Sequence, residues 1–374
     1  MTSYLDALGR VIDDVVAPQA PEVDKAGRFP RPGIDALGEA GILGLISSET
    51  VGGGGQGMRA AAEVVERLAG ACGSTAMVVL MHYAATAVLE AHGPEKTRAE
   101  IAAGLRLSTL AFSEVGSRSH FWAPMSTATA NGAEIRLDAR KSWVTAAGEA
   151  QSYVWSSRPL VAGGPMTLWL VPSDAAGLSQ PAPFDGLGLR GNASVPVTAE
   201  GVVISRDAML GADGAGLDIA LAAALPWFLV LSAAFSLGLM EAVIAETGGY
   251  VTATRLEHLD QTLVQQPLVR ADYARMRLQA DTTRALVNDT LAALEASRDD
   301  AMLRVLEVKA GASETAIAVT DLAMKVGGGA AFRKELGIER RFRDARAARV
   351  MAPTTDALLD FIGRAISGLP LLEG

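Results

Sequence analysis

The feature that most constrains the fold is an uncharged, strongly apolar run that covers residues 219–240. A run of this length must leave water, so it either spans a bilayer or forms a helix buried on all sides in a protein core. Its flanking residues are Asp218 and Glu241 rather than Lys or Arg, and Pro226 lies inside it. These observations favour a buried helix of a bundle, and we expect no membrane partner.

The apolar run belongs to the last of three segments that differ in their periodicity. Helical spacing dominates residues 1–105, short β-type runs dominate residues 106–212, and long helices return in residues 213–374. A chain of 374 residues is long enough for two or three domains. The predicted fold class is α+β, with an N-terminal helical domain, a middle β-barrel or sandwich domain and a C-terminal four-helix bundle.

Individual elements follow from periodicity and turn signals. Helices are predicted at residues 4–16, 34–40, 60–69, 75–89, 217–254, 263–297, 300–327 and 353–366. Strands are predicted at residues 153–156, 166–171, 195–197 and 202–204. Asn131-Gly132 is a typical hairpin turn between two alternating runs.

Residues 110–145 carry the most suggestive chemistry. A short apolar run ends in a segment rich in serine and glycine, whose backbone N–H groups and hydroxyls suit a carbonyl or phosphate oxygen. After the hairpin, Trp143 is followed by Val144 and Thr145, so an aromatic ring lies near a hydroxyl. This pattern predicts a β region that presents polar edges and a flat ring to a ligand. An ordinary hairpin with a serine-rich loop is the alternative.

Charge and sulfur content exclude several classes of function. The net charge of −9 argues against nucleic acid as a partner. The single cysteine, Cys72, cannot form an internal disulfide, and the four histidines show no ligand spacing, so we expect no metal. The N-terminus has no signal-peptide pattern, and we expect a cytoplasmic protein. His82 lies in an apolar helical stretch, which is typical of a hydrogen-bonded core histidine.

Several motifs, taken together, resemble those of the acyl-CoA dehydrogenase family. Ser113-Glu114-Val115-Gly116 through Ser119-His120 matches its Thr/Ser-Glu-Pro-Gly-x-Gly-Ser-Asp segment, with Val115 for Pro, His120 for Asp and one Gly fewer. Asn131-Gly132 and Lys141 to Thr145 match its Asn-Gly turn and Lys-x-Trp-Ile-Thr strand. The segment from Gly328 through Glu339-Arg340 to Thr354 matches its Gly-Gly-x-Gly-Tyr…Glu-Arg-x-x-Arg-Asp-Ala…Tyr-Glu-Gly-Thr pattern. The resemblance covers essentially the whole chain.

The resemblance implies that FAD is the cofactor and that the protein is a homodimer or homotetramer. In the family, the middle-domain segments hold the isoalloxazine ring and the start of the pantetheine arm. The Gly-Gly turn serves the adenosine half of FAD on a neighbouring subunit, and the threonine contacts the flavin side of the site. An arginine reaches the diphosphate across a subunit interface; here Arg255 has either that role or a surface ion pair. The implied cofactor-binding residues are Phe112, Ser113, Ser119, Trp143, Val144, Thr145, Arg255, Gly327, Gly328, Gly329 and Thr354.

The catalytic base is where this sequence departs from the family. The same register places Ala352 where the family has its catalytic glutamate, and an alanine has no titratable atom. One branch carries its base on the long bundle helix instead, at the position of Phe228. The candidate replacements are His120, in the loop that the family places beside the substrate, and Asp356. The alternative for Asp356 is an ordinary acidic residue in the first turn of a helix.

The leading hypothesis for function is FAD-dependent α,β-dehydrogenation of an acyl-CoA or acyl-carrier thioester, in fatty acid metabolism. The electron acceptor implied by the resemblance is an electron-transfer flavoprotein or O2. A flavin-dependent monooxygenase of the same fold is the first alternative, because that chemistry needs no such carboxylate. A non-catalytic oligomeric relative is the second.

Overall fold

The computed structural model describes residues 3–118, 120–334 and 336–372. The chain forms two compact units. The first unit comprises Met1–Val64, Ser74–Gly186 and Arg190–Phe228, and the second comprises Val65–Gly73, Leu187–Leu189 and Leu229–Gly374.

Helices build the N-terminal part of the chain, as the sequence predicts. They are α1 (Tyr4–Val11), α2 (Ala17–Ala26), α3 (Arg31–Glu39), α4 (Met58–Ala71), α5 (Gly73–His92) and α6 (Glu95–Ala102). The predicted first helix continues beyond its expected end, because α2 follows a π-helical stretch at Ile12–Val16. Pro18 lies in the first turn of α2, directly after the π-helical stretch, and has no backbone N–H to donate. Gly27 ends that helix in the left-handed region, with φ +62°.

His82 confirms the prediction of a core histidine. It is fully buried on α5, where Ser108 N donates to Nδ1 at 3.1 Å and Nε2 donates to Leu43 O at 3.1 Å. Burial lowers the pKa of His82 to about 4, against a smaller opposing effect of these hydrogen bonds. The imidazole is therefore neutral at pH 7, and both of its nitrogens are used by the fold.

The middle of the chain forms two four-stranded sheets within the described residues. The strands are β1 (Ser108–Ala111), β2 (Thr127–Asn131), β3 (Glu134–Val144), β4 (Ser152–Ser157), β5 (Thr167–Pro172), β6 (Leu178–Ser179), β7 (Val195–Ser205) and β8 (Met209–Leu210). One sheet has the order β1-β4-β5-β8 and the other β2-β3-β7-β6. Side chains from both sheets, including Ile135, Trp155, Trp169 and Val197, form one hydrophobic core. This arrangement is a sandwich, as the sequence predicts.

The β2–β3 hairpin is present, but its turn lies one residue later than predicted. Asn131 pairs with Glu134, so the two loop residues are Gly132 and Ala133. Gly132 alone of this pair has a positive φ, +63°. That is the pattern of a type II′ turn, which requires glycine at its first position and leaves Asn131 in the strand.

The C-terminal part is helical, as predicted, with one more long helix than expected. It contains α7 (Gly216–Ile219), α8 (Leu225–Ala253), α9 (Pro267–Glu295), α10 (Ala301–Ala331), α11 (Ile338–Val350) and α12 (Thr355–Ile366), and a short hairpin of β9 (Arg255–Leu256) and β10 (Gln261–Thr262). The prediction missed α11, because its arginines mask its short apolar stripe of Ile338, Phe342, Ala345 and Ala348. Helix α9 begins at Pro267 rather than at residue 263, since proline is suited to the first helical position.

Two helical stretches, Gly73–His92 and Gly216–Ala253, are long and apolar enough to cross a membrane by length and composition. In each, 83% of the most apolar window is buried inside the protein. Such burial is expected of core helices, in line with the interpretation of residues 219–240 as a bundle helix.

Candidate cofactor and substrate site

The first unit brings several predicted site residues to one edge of the β-sandwich. The chain leaves β1 at Phe112 and runs beside the end of β3. Ser142 N donates to Ser113 O at 2.9 Å, and Val115 N donates to Arg140 O at 3.0 Å. Ser113 therefore lies next to the segment that carries Trp143, and Phe112 is buried. Ser119 lies outside the described residues.

A buried ion pair fixes this edge. Lys141 on β3 and Glu114 in the loop are 0% and 2% exposed, and Lys141 Nζ donates to Glu114 Oε1 at 2.5 Å. The ammonium also donates to Ser156 O at 2.7 Å and Ser156 Oγ at 2.9 Å, and it lies 5.0 Å from the ring centroid of Trp155. Every N–H of the buried ammonium thus has an acceptor, as a buried charge requires.

The carboxylate of Glu114 also closes the loop that follows it. Its Oε2 accepts from Met125 N at 2.6 Å and Ser126 N at 2.8 Å, and its Oε1 accepts from Ser126 Oγ at 2.5 Å. Burial alone would raise the pKa of Glu114, but the charge and hydrogen bonds of Lys141, Ser126 and Met125 outweigh it and lower that pKa. The ionised carboxylate therefore ties the two ends of the loop that contains His120.

Trp143 is presented outward by an irregularity in the sheet. The register between β3 and β7 shifts between Lys141 and Val144, and Trp143 has φ +56°. Its side chain is 70% exposed, whereas Val144 and Thr145 are buried and Thr145 Oγ1 is 2.9 Å from Ser194 Oγ. A β-bulge re-aims side chains in this way, and a tryptophan in the left-handed region costs about 1–3 kcal/mol. An exposed aromatic ring that the fold keeps in this strained conformation is suited to stack on a flat heterocycle such as a flavin.

The predicted glycine segment lies in the second unit, near the end of α10. Gly328 has φ +53° and ψ −135°, which kinks the helix. Gly328 and Gly329 are exposed, and apart from the adjoining helix backbone no atom of the described residues lies within 4 Å of the position a Cβ would occupy at either. Gly327 is buried, and a Cβ there would meet Ala331 Cβ at 2.5 Å. The open backbone at Gly328 and Gly329 fits the close approach of a nucleotide.

Arg255 lies apart from those glycines in sequence, on the β9–β10 hairpin. Its guanidinium is 58% exposed and pairs with Asp260, which is 88% exposed. This contact corresponds to the surface ion pair that the sequence offers as one of two roles. The diphosphate role, which involves a neighbouring subunit, stays a prediction.

The segment with Ala352 connects α11 to α12 in the second unit. Met351 follows the last residue of α11, and Thr354 is the N-cap of α12, where its Oγ1 accepts from Ala357 N at 3.4 Å. Lys309 on α10 donates to Met351 O at 2.9 Å and Pro353 O at 2.7 Å. These carbonyls belong to the two neighbours of Ala352.

Sequence reasoning missed Lys309. It is fully buried, and burial lowers its pKa to about 7. Its buried neighbours on α10 include Val305, Leu306, Val308 and Ala312. The signal that could have found it is a single lysine inside this apolar stretch of helix, since a buried lysine needs acceptors.

The two candidate bases differ in their surroundings. His120 is exposed; its Nδ1 donates to Ser117 O at 3.0 Å, and its ring packs edge-on against Trp122 at 4.9 Å. This hydrogen bond places the proton of the neutral imidazole on Nδ1, which leaves Nε2 as the basic nitrogen. Asp356 is exposed in the first turn of α12, as expected of an ordinary helix N-terminal acid. Phe228, the other position considered for a base, is a buried residue.

Proteins of similar sequence match almost the full length of the chain. A probable acyl-CoA dehydrogenase of Bacillus subtilis is 27% identical over 356 residues, which cover 91% of each chain. The mitochondrial short-chain specific acyl-CoA dehydrogenase of Bos taurus is 28% identical over 347 residues, which cover 91% of this chain and 83% of the relative.

Solved structures share the fold at lower identity. Butyryl-CoA dehydrogenase of Megasphaera elsdenii superimposes with a TM-score of 0.91 at 22% identity, over 97% of each chain. The prolyl acyl carrier protein oxidase AnaB has a TM-score of 0.88 at 20% identity, over 98% of this chain and 99% of its own. The FAD complex of PigA has a TM-score of 0.89 at 19% identity, over 97% and 96% of the two chains.

Three domain models of one family match this chain in succession. The acyl-CoA dehydrogenase N-terminal domain matches residues 2–106, the middle domain residues 109–202 and the C-terminal domain residues 214–367. With the full-length relatives and the shared fold, these matches show that the chain belongs to the acyl-CoA dehydrogenase family.

Proposed function

We propose that this protein is an FAD-dependent oxidoreductase that dehydrogenates an acyl thioester between its α and β carbons. The family consists of FAD flavoproteins that act on acyl thioesters. The observation that carries the proposal for this chain is the exposed ring of Trp143, held beside Ser113 by the buried pair of Lys141 and Glu114. A strained aromatic residue at a sheet edge has no role in the core, so we assign it to the flavin.

Each described segment has a part in holding the cofactor. Trp143, Ser113 and the backbone around Thr145 would hold the isoalloxazine ring, and Thr354 would contact the flavin side of the site. Gly328 and Gly329 would admit the adenosine half, and Arg255 would exchange Asp260 for the diphosphate, which suits a guanidinium fork. Bound FAD would supply the hydride acceptor.

The chain itself must take the α-proton. Ala352 and Phe228 have no basic atom, so we assign proton removal to Nε2 of His120, with Asp356 as the second choice. The ring of Trp122 and the hydrogen bond to Ser117 O orient the imidazole for this role.

The absence of a carboxylate at both positions also favours a second candidate, a flavin-dependent monooxygenase of the same fold. For the carrier we propose CoA or an acyl carrier protein, because the fold is shared with a butyryl-CoA dehydrogenase and with an acyl carrier protein oxidase. We propose an electron-transfer flavoprotein or O2 as acceptor, a homodimer or homotetramer as the assembly, and the cytoplasm as the location.

The first test is the cofactor content of the purified protein. We expect about one FAD per chain in its visible spectrum, either as purified or after incubation with FAD. A colourless protein that stays colourless with FAD would overturn both enzymatic proposals and leave the non-catalytic alternative.

The second test separates the two reactions. A dehydrogenase is expected to be reduced by an acyl thioester without O2. A monooxygenase would instead consume O2 when its flavin has been reduced chemically and substrate is present, and acyl thioesters would leave its oxidised flavin unchanged.

A further inference from the structure

We propose that Lys309 is a positioning residue whose amino group holds the turn at residues 351–354 in place. The proposal rests on the function above in one respect only, namely that this turn contributes Thr354 to the flavin site. The contacts themselves belong to the second unit and are independent of any cofactor.

The geometry of Lys309 is that of a clamp on the main chain. Its Nζ donates to Met351 O at 2.9 Å and to Pro353 O at 2.7 Å, so the two acceptors lie on either side of Ala352. Because both are main-chain atoms, the turn cannot shift without breaking a hydrogen bond to a buried amino group. A buried donor that loses its partner costs the full desolvation penalty of that group.

Burial makes this clamp selective for one conformation of the turn. Lys309 is 0% exposed on α10, so water cannot replace either carbonyl if the turn moves away. A buried amino group left without acceptors in an apolar environment is unfavourable, protonated or not. The lysine therefore opposes every arrangement in which the carbonyls of Met351 and Pro353 point elsewhere.

The neighbouring contacts of the turn do not duplicate this function. Arg349 pairs with Glu314 on α10 and anchors the last turn of α11, while Thr354 Oγ1 caps α12 from its other side. Ala352 itself, at the family position of the catalytic glutamate, contributes only a methyl group. Lys309 thus fixes the main chain on both sides of Ala352. Although Ala352 has no carboxylate, the turn still has a defined conformation next to Thr354.

The test is native-state trypsin cleavage after Arg349, which is half-exposed and precedes the turn. We expect Lys309→Met to raise the cleavage rate at this bond by about tenfold, the change that corresponds to loss of both hydrogen bonds of this buried group. Lys309→Arg, which keeps a buried donor, should restore most of the protection. Lys96→Met, the same change at a lysine that is 88% exposed, should leave cleavage unchanged.

Cleavage after Arg284 on α9 serves as an internal reference for global unfolding. If both bonds become sensitive to the same degree in Lys309→Met, or if Lys309→Arg gives no protection, the positioning role is wrong. If Lys309→Met does not fold, hydrogen exchange of the wild type decides. Slow exchange of residues 351–358, at the level of α10, supports the clamp, and exchange as fast as in residues 367–372 overturns it.

A flavin measurement separates this proposal from the proposed function. With FAD bound, we expect a shifted visible flavin band in Lys309→Met and a wild-type band in Lys309→Arg and Lys96→Met. A wild type that binds no FAD while the cleavage result holds would overturn the proposed function and leave the clamp. A wild type with FAD whose spectrum and cleavage are unaffected by Lys309→Met would overturn the clamp and leave the function.

Discussion

Two buried lysines, Lys141 in the first unit and Lys309 in the second, organise predicted site segments in different ways. Lys141 has a carboxylate, a carbonyl and a hydroxyl as acceptors, and its partner Glu114 holds a loop in turn. Lys309 donates to two main-chain carbonyls. The ion pair supports an exposed aromatic side chain, whereas the carbonyl contacts hold the backbone on both sides of Ala352. A buried lysine can therefore serve either to display a side chain or to fix a turn.

The largest effect is expected from breaking the ion pair. Lys141→Met leaves the carboxylate of Glu114 buried without its cation, which should reduce the free energy of unfolding by about 3–5 kcal/mol. The measurement is urea unfolding followed by circular dichroism.

The matched control is Arg136→Met on the same strand, which removes an exposed ion pair with Asp138 and should cost at most about 1 kcal/mol. The double variant Glu114→Gln/Lys141→Met should recover part of the loss. Equal stability of Lys141→Met and Arg136→Met would show that the buried pair does not support the sheet edge.

The pH dependence of the free energy of unfolding tests the burial of Lys309, by comparison of the wild type with Lys309→Met. Its folded-state pKa of about 7 lies below the ordinary value for lysine. Its contribution to stability is therefore fully present above the unfolded-state pKa and is lost as the pH falls toward 7. Between about pH 7 and pH 10, the wild type should gain stability relative to Lys309→Met, with a slope of at most about 1.4 kcal/mol per pH unit. Urea unfolding across this range measures the slope, and a difference that stays constant with pH would contradict the titration of Lys309.

Arg255 tests the cofactor contacts outside the two lysine sites. If its guanidinium exchanges Asp260 for the diphosphate, Arg255→Ala should weaken FAD binding by about ten- to a hundredfold, the equivalent of roughly 1.5–3 kcal/mol. Flavin occupancy after dialysis and oligomer size by light scattering are the measurements. Wild-type values for both would assign Arg255 to the surface ion pair alone.

The smallest expected effect on stability concerns Trp143. The ring is 70% exposed, so Trp143→Ala should change the free energy of unfolding by no more than about 0.5 kcal/mol. FAD affinity should nevertheless fall by about two- to tenfold, because an aromatic stacking partner contributes about 0.5–1.5 kcal/mol. A loss of stability as large as that of Lys141→Met would mean that Trp143 is part of the core.

The sequence predicts the order of helical, β and helical segments because periodicity survives averaging over long elements. It also identifies residues 110–145 as a site region, since glycine, serine and tryptophan leave a visible pattern. It does not reveal that Trp143 faces outward, because strand alternation cannot show a bulge. The turn at Gly132-Ala133 is displaced from its prediction for a similar reason: pairing register decides which residues are left in the loop.

The burial of Lys309 and the presence of helix α11 could not be predicted from the sequence, for a different reason. A lysine in a helix usually extends to solvent, and only tertiary packing places the ammonium of Lys309 against Met351 and Pro353. Helix α11 is rich in arginine, and one of its ion pairs, between Arg341 and Glu246 at 2.7 Å, joins residues remote in sequence. Local patterns contain neither kind of information.

Anaerobic titration of the flavin with a panel of acyl thioesters, for wild type and His120→Ala, tests the central proposal most directly. We predict that at least one acyl thioester bleaches the wild-type flavin without O2. We also predict that His120→Ala, which keeps the flavin but lacks the basic Nε2, is reduced about a hundredfold or more slowly, the usual loss when a general base is removed. Full reduction of His120→Ala at the wild-type rate would remove His120 from the mechanism. A wild-type flavin that no acyl thioester reduces would contradict dehydrogenation itself.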